Sequence, residues 1–226
     1  AGSWNLSGIT GNSGDCGGNT GITFTTAANQ YWFKNTGSWS NAAKWFLATA
    51  GGGGAGRVPL PQDSAFFDAS SFDTASQTIT QDMTRIGTCT WGAVTNTPTF
   101  TPNVVTGVYG SITLVSGMTL TASTSAYTFH GRSTHTLTSG TKTWAKSLTI
   151  SAPNGTLTLQ DELIAGVTNT LQIDSGTFDA NNQNITFGLV DSSFSTTRVI
   201  TMGSGTWLLT GTGTIWTTAT TTGLTV

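Results

Sequence analysis

SLTI (147–150), GTLTL (155–159) and ELIAG (162–166) open a stretch that repeats itself. TLQI (170–173), GTFDA (176–180) and NITFG (184–188) follow in the same order, then RVIT (198–201), GTWLL (205–209) and GTIW (213–216). Equivalent positions lie roughly 21–29 residues apart, the period range of solenoids. Each run alternates apolar and polar residues, as a half-buried strand does. Gly, Asn and Ser punctuate the gaps. One such triplet cannot bury its apolar side alone, whereas stacked triplets share a continuous core. The pattern predicts an all-β chain, a right-handed parallel β-helix (solenoid) with three strands per rung. Its interior columns are expected to be Leu148–Leu171–Val199, Leu157–Phe178–Trp207 and Leu163–Ile185–Ile215, with Thr facing outward. DSSFSTT (191–197) reads as an insertion that lengthens one turn. The alternative is an antiparallel β-sandwich, for which Asn154–Gly155 is a hairpin signal; the threefold recurrence favours the solenoid.

Upstream the same texture continues less regularly. QTIT (77–80), TRIGTCTWG (84–92), TPTFT (97–101), SITLVSGMTLT (111–121), AYTFHG (126–131) and HTLTSGTKTW (135–144) read as earlier rungs, which places the solenoid at 69–226. Residues 31–68 differ. Tyr31, Trp32, Phe33, Trp39, Trp45, Phe46, Phe66 and Phe67 crowd together, the NAAKWFLATA portion suits a helical turn or two, and GGGG (51–54) precedes an extended VPLPQD. Each Pro there pushes its predecessor toward extended geometry. An aromatic-rich N-terminal cap over the open end of the solenoid is the expectation, since solenoids need closed ends. Residues 1–30, rich in Gly, Asn, Ser and Thr, read as an arm or a first irregular coil.

Composition bounds the function. Hydrophobic residues make up 36% and charged residues only 8% of the 226 positions, against roughly 25% charged in ordinary domains. Eleven Phe and eight Trp argue for an ordered core. A net charge of −2 offers no basic footprint, so no nucleic acid is expected. No apolar run is long enough for a membrane span, and AGSWNLSG is not a signal peptide. A start without Met and a finish within the strand-like TTTGLTV suggest part of something longer. Cys16 and Cys89 stand far apart in sequence, and both a disulfide and two separate thiols stay open. No metal site and no cofactor are expected.

Candidate chemistry is sparse. Asp161 and Glu162 adjoin, while Asp174 and Asp179 lie about one rung on. Carboxylates stacked on one face would suit a glycoside hydrolase or Ca²⁺, and turn-forming Asp is the competing reading. Asp63, Asp68 and Asp73 recur every five residues without matching a cation loop. His130 and His135 flank GRST near Arg132 and read as turn residues. Trp32, Trp39 and Trp45 are candidate carbohydrate platforms, because an exposed indole stacks on the apolar face of a sugar; buried, the same rings close the core. Asn-x-Ser/Thr triplets at Asn5, Asn154 and Asn184 carry no weight in so Thr-rich a chain. No catalytic residue is assigned.

YWFKNTGSWSNAAKW, followed by GGGGAGRVPLPQDSAFFDASSF, resembles a pattern in structural proteins of tailed phages: W-x-x-x-x-GSWS-x-x-x-x-W, a Gly-rich loop, VP-x-x-x-D and F-D-A-x-SF. LTLQDEL, GTFDANNQNITFG and GTGTIW are also similar, so that the resemblance spans roughly residues 31–226. Leu60 and Gln62 depart from the usual Gly-rich spacer. The resemblance implies a tail fibre, tailspike or head-decorating fibre, with host attachment or scaffolding as its job. A virion-surface, extracellular location is implied with it. So are self-association (a trimer, by analogy with fibres), contact with other virion proteins and a host surface glycan as partner. It carries no catalytic residues, and the expectation is a structural, non-enzymatic protein. The alternatives are a polysaccharide depolymerase on a β-helix scaffold and a carbohydrate-binding bacterial surface adhesin.

Overall fold

The computed structural model describes residues 2–123 and 125–226. It is an all-β solenoid of about 10 turns, with short 3₁₀ turns at Ala42–Lys44 and Thr49–Gly51. The chain visits three faces in a fixed order and pairs in parallel with the coil below, so like residues stack. On one face Gln30, Ala65, Cys89, Ile112, Leu137 and Leu159 form a column, and Leu157, Phe178 and Ile200 another. On the second, Ile86, Val108, Phe129, Ile150 and Ile173 stack in sequence. On the third, Ile79 lies beneath Phe100 and Leu120, and further along Leu163, Ile185 and Trp207 superpose. Strands such as Thr78–Gln81, Thr88–Trp91 and Thr99–Pro102 bury every second residue, because successive side chains of a strand point to opposite sides. Three such faces closed on one another enclose the core.

Asn154–Gly155, the hairpin signal, is instead a corner between two faces of one coil. Asn154 takes the left-handed conformation at φ 63°, and the strand Leu148–Leu159 bends there without reversing. Gly155 and Gly176 continue this corner on successive coils. A Cβ on Gly155 would meet the Gly131 carbonyl, and one on Gly176 the Ala152 carbonyl. Glycine is therefore required by the close passage of the neighbouring coil.

Three expected columns lose their third member. Leu148 and Leu171 continue to Val190 rather than Val199, Leu157 and Phe178 to Ile200 rather than Trp207, and Leu163 and Ile185 to Trp207 rather than Ile215. The cause is Ile185–Asp191, which rounds its corner in fewer residues than the coil below, so that the offset between paired residues falls from 22 at Leu163–Ile185 to 19 at Leu171–Val190. The turn after Asp191 is longer than its counterpart after Gln172 and restores the offset to 22 at Gly176–Arg198, as expected of an insertion at 191–197.

The end nearest the N-terminus is closed. Asn29–Trp32 is the first strand of its face, parallel to Ser64–Phe67, and Trp45–Phe46 runs antiparallel along its other edge. The 31–68 stretch thus supplies both ladder strands and a lid, and parallel pairing crosses position 69 without a break, from Ala65 to Cys89. Beneath the lid Trp39 and Trp45 lie 5.1 Å apart, Trp32 meets Trp45 edge-on at 5.3 Å, and Phe67 stacks on Trp91 at 4.3 Å. Residues 2–28 form a small arm whose strands Trp4–Asn5 and Ile22–Thr23 pair in parallel, and Asn29 and Gln30 already belong to the first ladder strand.

Among the described residues no antiparallel strand crosses the opposite end. Trp207–Leu209, Trp216–Thr217 and Leu224–Thr225 pair with the coil below, and Trp207, Leu209, Trp216 and Leu224 are only half-buried. Arg198 ties this last coil down. It is fully buried; Nε donates to Ser192 Oγ at 2.7 Å, Nη1 to the Thr196 and Thr222 carbonyls at 3.0 and 2.8 Å, and Nη2 to the carbonyls of Ser192 and Thr220.

Candidate functional site

One coil of spacing brings distant residues side by side. Pairing of Gly107 with Thr128 and Val108 with Phe129 sets Tyr109 next to His130, their rings stacked at 5.4 Å and 25°. His130 Nδ1 lies 3.2 Å from the Ser151 carbonyl. The chain then turns at Gly131, exposing Arg132, and His135 Nε2 sits 3.1 Å from Ser133 Oγ. Facing these residues is the Asp15–Gly18 bend of the arm. Gln62 fastens it: Oε1 accepts from the Asp15 amide at 2.8 Å, and Nε2 donates to the Ser13 and Thr25 carbonyls at 3.1 and 2.9 Å.

Two adjoining hollows of about 320 and 210 Å³ lie between the walls and share Cys16, Tyr109 and Arg132. Arg132 forms no ion pair among the described residues; the ion pairs present there are Lys34–Asp73 and Arg57–Asp63. Asp15 Oδ1 is occupied by the Gly17 amide and Asn19 Nδ2. Burial lowers the pKa of His135, which keeps that imidazole neutral at neutral pH. Burial and the neighbouring Cys16 raise the Tyr109 hydroxyl, with Arg85 opposing. The groove therefore offers a free guanidinium, hydroxyls, a neutral imidazole and a partly exposed aromatic pair. Such a set binds and orients a ligand; the geometry supplies no aligned nucleophile and base.

A larger cavity of about 620 Å³ lies beside Val58, Pro59, Leu60, Pro61 and Met83. Two cations line it: Arg57, bound to buried Asp63 at 2.8 Å, and Arg85, which forms no ion pair among the described residues. The remaining lining is mostly apolar.

The structure places the three candidate tryptophans inside. Trp32, Trp39 and Trp45 are 1%, 0% and 0% exposed, and Trp45 Nε1 donates to the Trp39 carbonyl at 2.8 Å. Each ring contacts other aromatics, which leaves no face for a sugar. Burial wins because a solenoid's end would otherwise expose its apolar interior.

Most carboxylates hold turns. Asp161 accepts from the Ser139 and Gly140 amides at 2.6 and 2.7 Å, and Glu162 is exposed. Asp63 accepts from the Ala28 and Leu60 amides; Asp68 accepts from the Ser70 amide, and Asp73 from Gln77 Nε2. Asp174 and Asp179 do not stack. Asp179 pairs with Thr158 and Thr201 on the Leu157 face, whereas Asp174 follows Ile173 on the Ile150 face. The carboxylate that influences Asp174 is Asp191, whose register partner Gln172 donates to Asp174 Oδ1 at 2.7 Å. Burial and the Asp191 charge raise the Asp174 carboxyl, while Gln172 and His130 oppose them.

Cys16 and Cys89 are both free thiols. Cys89 fills its column between Ala65 and Ile112, where burial pushes it up to about 12. Among the described residues no three His, Cys, Asp or Glu side chains gather to hold a metal, and no helix is long and apolar enough to cross a membrane.

No family model, curated protein or solved structure matches the chain. Function must therefore be argued from this chain alone.

Tyr109 was not singled out in the sequence. The signal was there: it precedes His130 by about one repeat period, so extending the repeat upstream would have paired them. Contact with Cys16 had no such signal, because the arm lies outside the repeat.

Proposed function

We propose that this chain is a structural, adhesive protein without enzymatic activity, a rigid coil of the kind used in phage surface appendages such as fibres, spikes or decorations. The observation that carries this reading is the uninterrupted parallel stack with matched interior columns. Its walls are nearly uncharged, which removes most of the repulsion between identical copies. The rim formed by Trp207–Leu209, Trp216–Thr217 and Leu224–Thr225 offers strand edges and half-buried Trp side chains to a further coil. Self-association, as a trimer by analogy with fibres, joins copies into an appendage at an extracellular virion surface. The resemblance in residues 31–226 is what points to phage.

Sedimentation equilibrium at micromolar concentration should give a multiple of 23.4 kDa; a single-chain mass overturns the self-association. Mass spectrometry of purified phage particles and of cell-envelope fractions from a culture that makes the chain should detect it in the particles, and its absence from every particle fraction overturns the virion placement.

A depolymerase is the second reading, favoured by Asp174 and Asp191 on neighbouring coils. Release of reducing ends from acidic capsule, abolished in Asp174→Asn, would establish it.

A further inference from the structure

We propose that the groove between the Asp15–Gly18 bend and the Tyr109–His130 ring pair binds a uronic acid unit of an acidic polysaccharide. This deepens the adhesive reading and takes its setting from it. The recognising group is Arg132, whose planar guanidinium matches a carboxylate in bidentate fashion and has no ion-pair partner among the described residues. Arg132 lies against the arm. Its Nε and Cδ lie so close to the Gly18 backbone that a Cβ there would approach them to 2.7 and 2.8 Å, so the arm packs directly against the side chain.

An isolated guanidinium would serve any anion; its neighbours select a ring. Tyr109 and His130 stack at 5.4 Å and present a partly exposed aromatic surface, which suits the apolar face of a pyranose. Ser133 Oγ, hydrogen-bonded to His135 Nε2 at 3.1 Å, keeps hydroxyl capacity to spare for a sugar hydroxyl. The larger hollow, about 320 Å³, is at the small end of ligand sites, about 300–1,000 Å³, and fits one sugar unit better than a long chain segment. Gln62 ties the arm down through one hydrogen bond to the bend, at Asp15, and two beside it, at Ser13 and Thr25, so the wall is built before the ligand arrives.

Isothermal titration of the full chain with D-glucuronate should give a millimolar dissociation constant, and D-glucose, which lacks the carboxylate, should bind at least about tenfold more weakly. Arg132→Met should weaken glucuronate by about tenfold with unchanged circular dichroism and melting temperature. Tyr109→Ala should weaken glucuronate while leaving inorganic phosphate unaffected. Absence of glucuronate binding, equal affinity for glucose, or an unaltered Arg132→Met variant each overturns the proposal. Phosphate binding as tightly as glucuronate overturns the sugar assignment and leaves a plain anion site. These outcomes concern this groove alone; the adhesive reading fails separately, on the sedimentation and particle measurements.

Discussion

The two ends of the coil are built from the same residue types and reach opposite states. At the Trp45 end an antiparallel strand blocks the ladder, and three indoles are driven to 1% exposure or less. At the Leu224 end Trp207 and Trp216 stack at 5.8 Å yet stay half-buried. Aromatic content therefore does not make a lid. What makes one is a strand running the wrong way for another coil to add.

The contrast can be broken most directly by truncating one indole at each end. Trp45→Ala should lower stability by about 3–5 kcal/mol in urea unfolding, while Trp207→Ala should cost only about 1–2 kcal/mol. Equal losses would mean that the ends do not differ. Next in size is the corner comparison. Gly176 and Gly213 both adopt positive φ, 85° and 83°, but only a Cβ at Gly176 meets a neighbouring backbone. Gly176→Ala should cost about 2–4 kcal/mol and Gly213→Ala about 1–2 kcal/mol, the difference measuring how tightly coils pass one another.

Arg198→Met should cost about 2–3 kcal/mol, because it removes the donor shared by the Ser192, Thr196, Thr220 and Thr222 carbonyls. By hydrogen exchange, amides of 216–226 should open faster while Ser64–Phe67 stays protected. Unchanged exchange at 216–226 would show that the guanidinium does not fasten the rim.

The smallest effect concerns the interior midway. Lys146 is 1% exposed, its Nζ lies 5.1 Å from the Tyr127 ring and 5.4 Å from that of Trp144, and burial lowers its pKa from 10.5 to about 8. The folded chain therefore gives up this proton first, and between about pH 8 and 10.5 the unfolded chain binds more protons. Stability should rise across that window, by on the order of 1–3 kcal/mol, and be flat in this contribution below it. Lys146→Met should abolish the rise; a rise that persists in that variant would place its origin elsewhere.

The coil was legible in the sequence wherever Gly, Asn or Ser separated one apolar-alternating run from the next. Leu148–Leu171, Leu157–Phe178 and Leu163–Ile185 could be paired by eye, and all three pair in the structure. The reading slipped at Ile185–Asp191, where Gly188 alone makes the corner that Gly166–Asn169 makes one coil below, so that the gap between the two runs shrinks to a single residue. The groove was barely legible. His130, His135 and Arg132 drew notice, but Tyr109 reaches them by stacking of coils and Cys16 by the fold of an arm without periodicity. Nor does periodicity announce Arg198 or Lys146, since both occupy inward positions where an apolar residue is expected.

The backward-running pair Trp45–Phe46 has one more consequence. It gives the molecule a polarity, like a screw with a head: a backward strand already occupies that edge of Asn29–Trp32, so a chain docking there in parallel would first have to displace it.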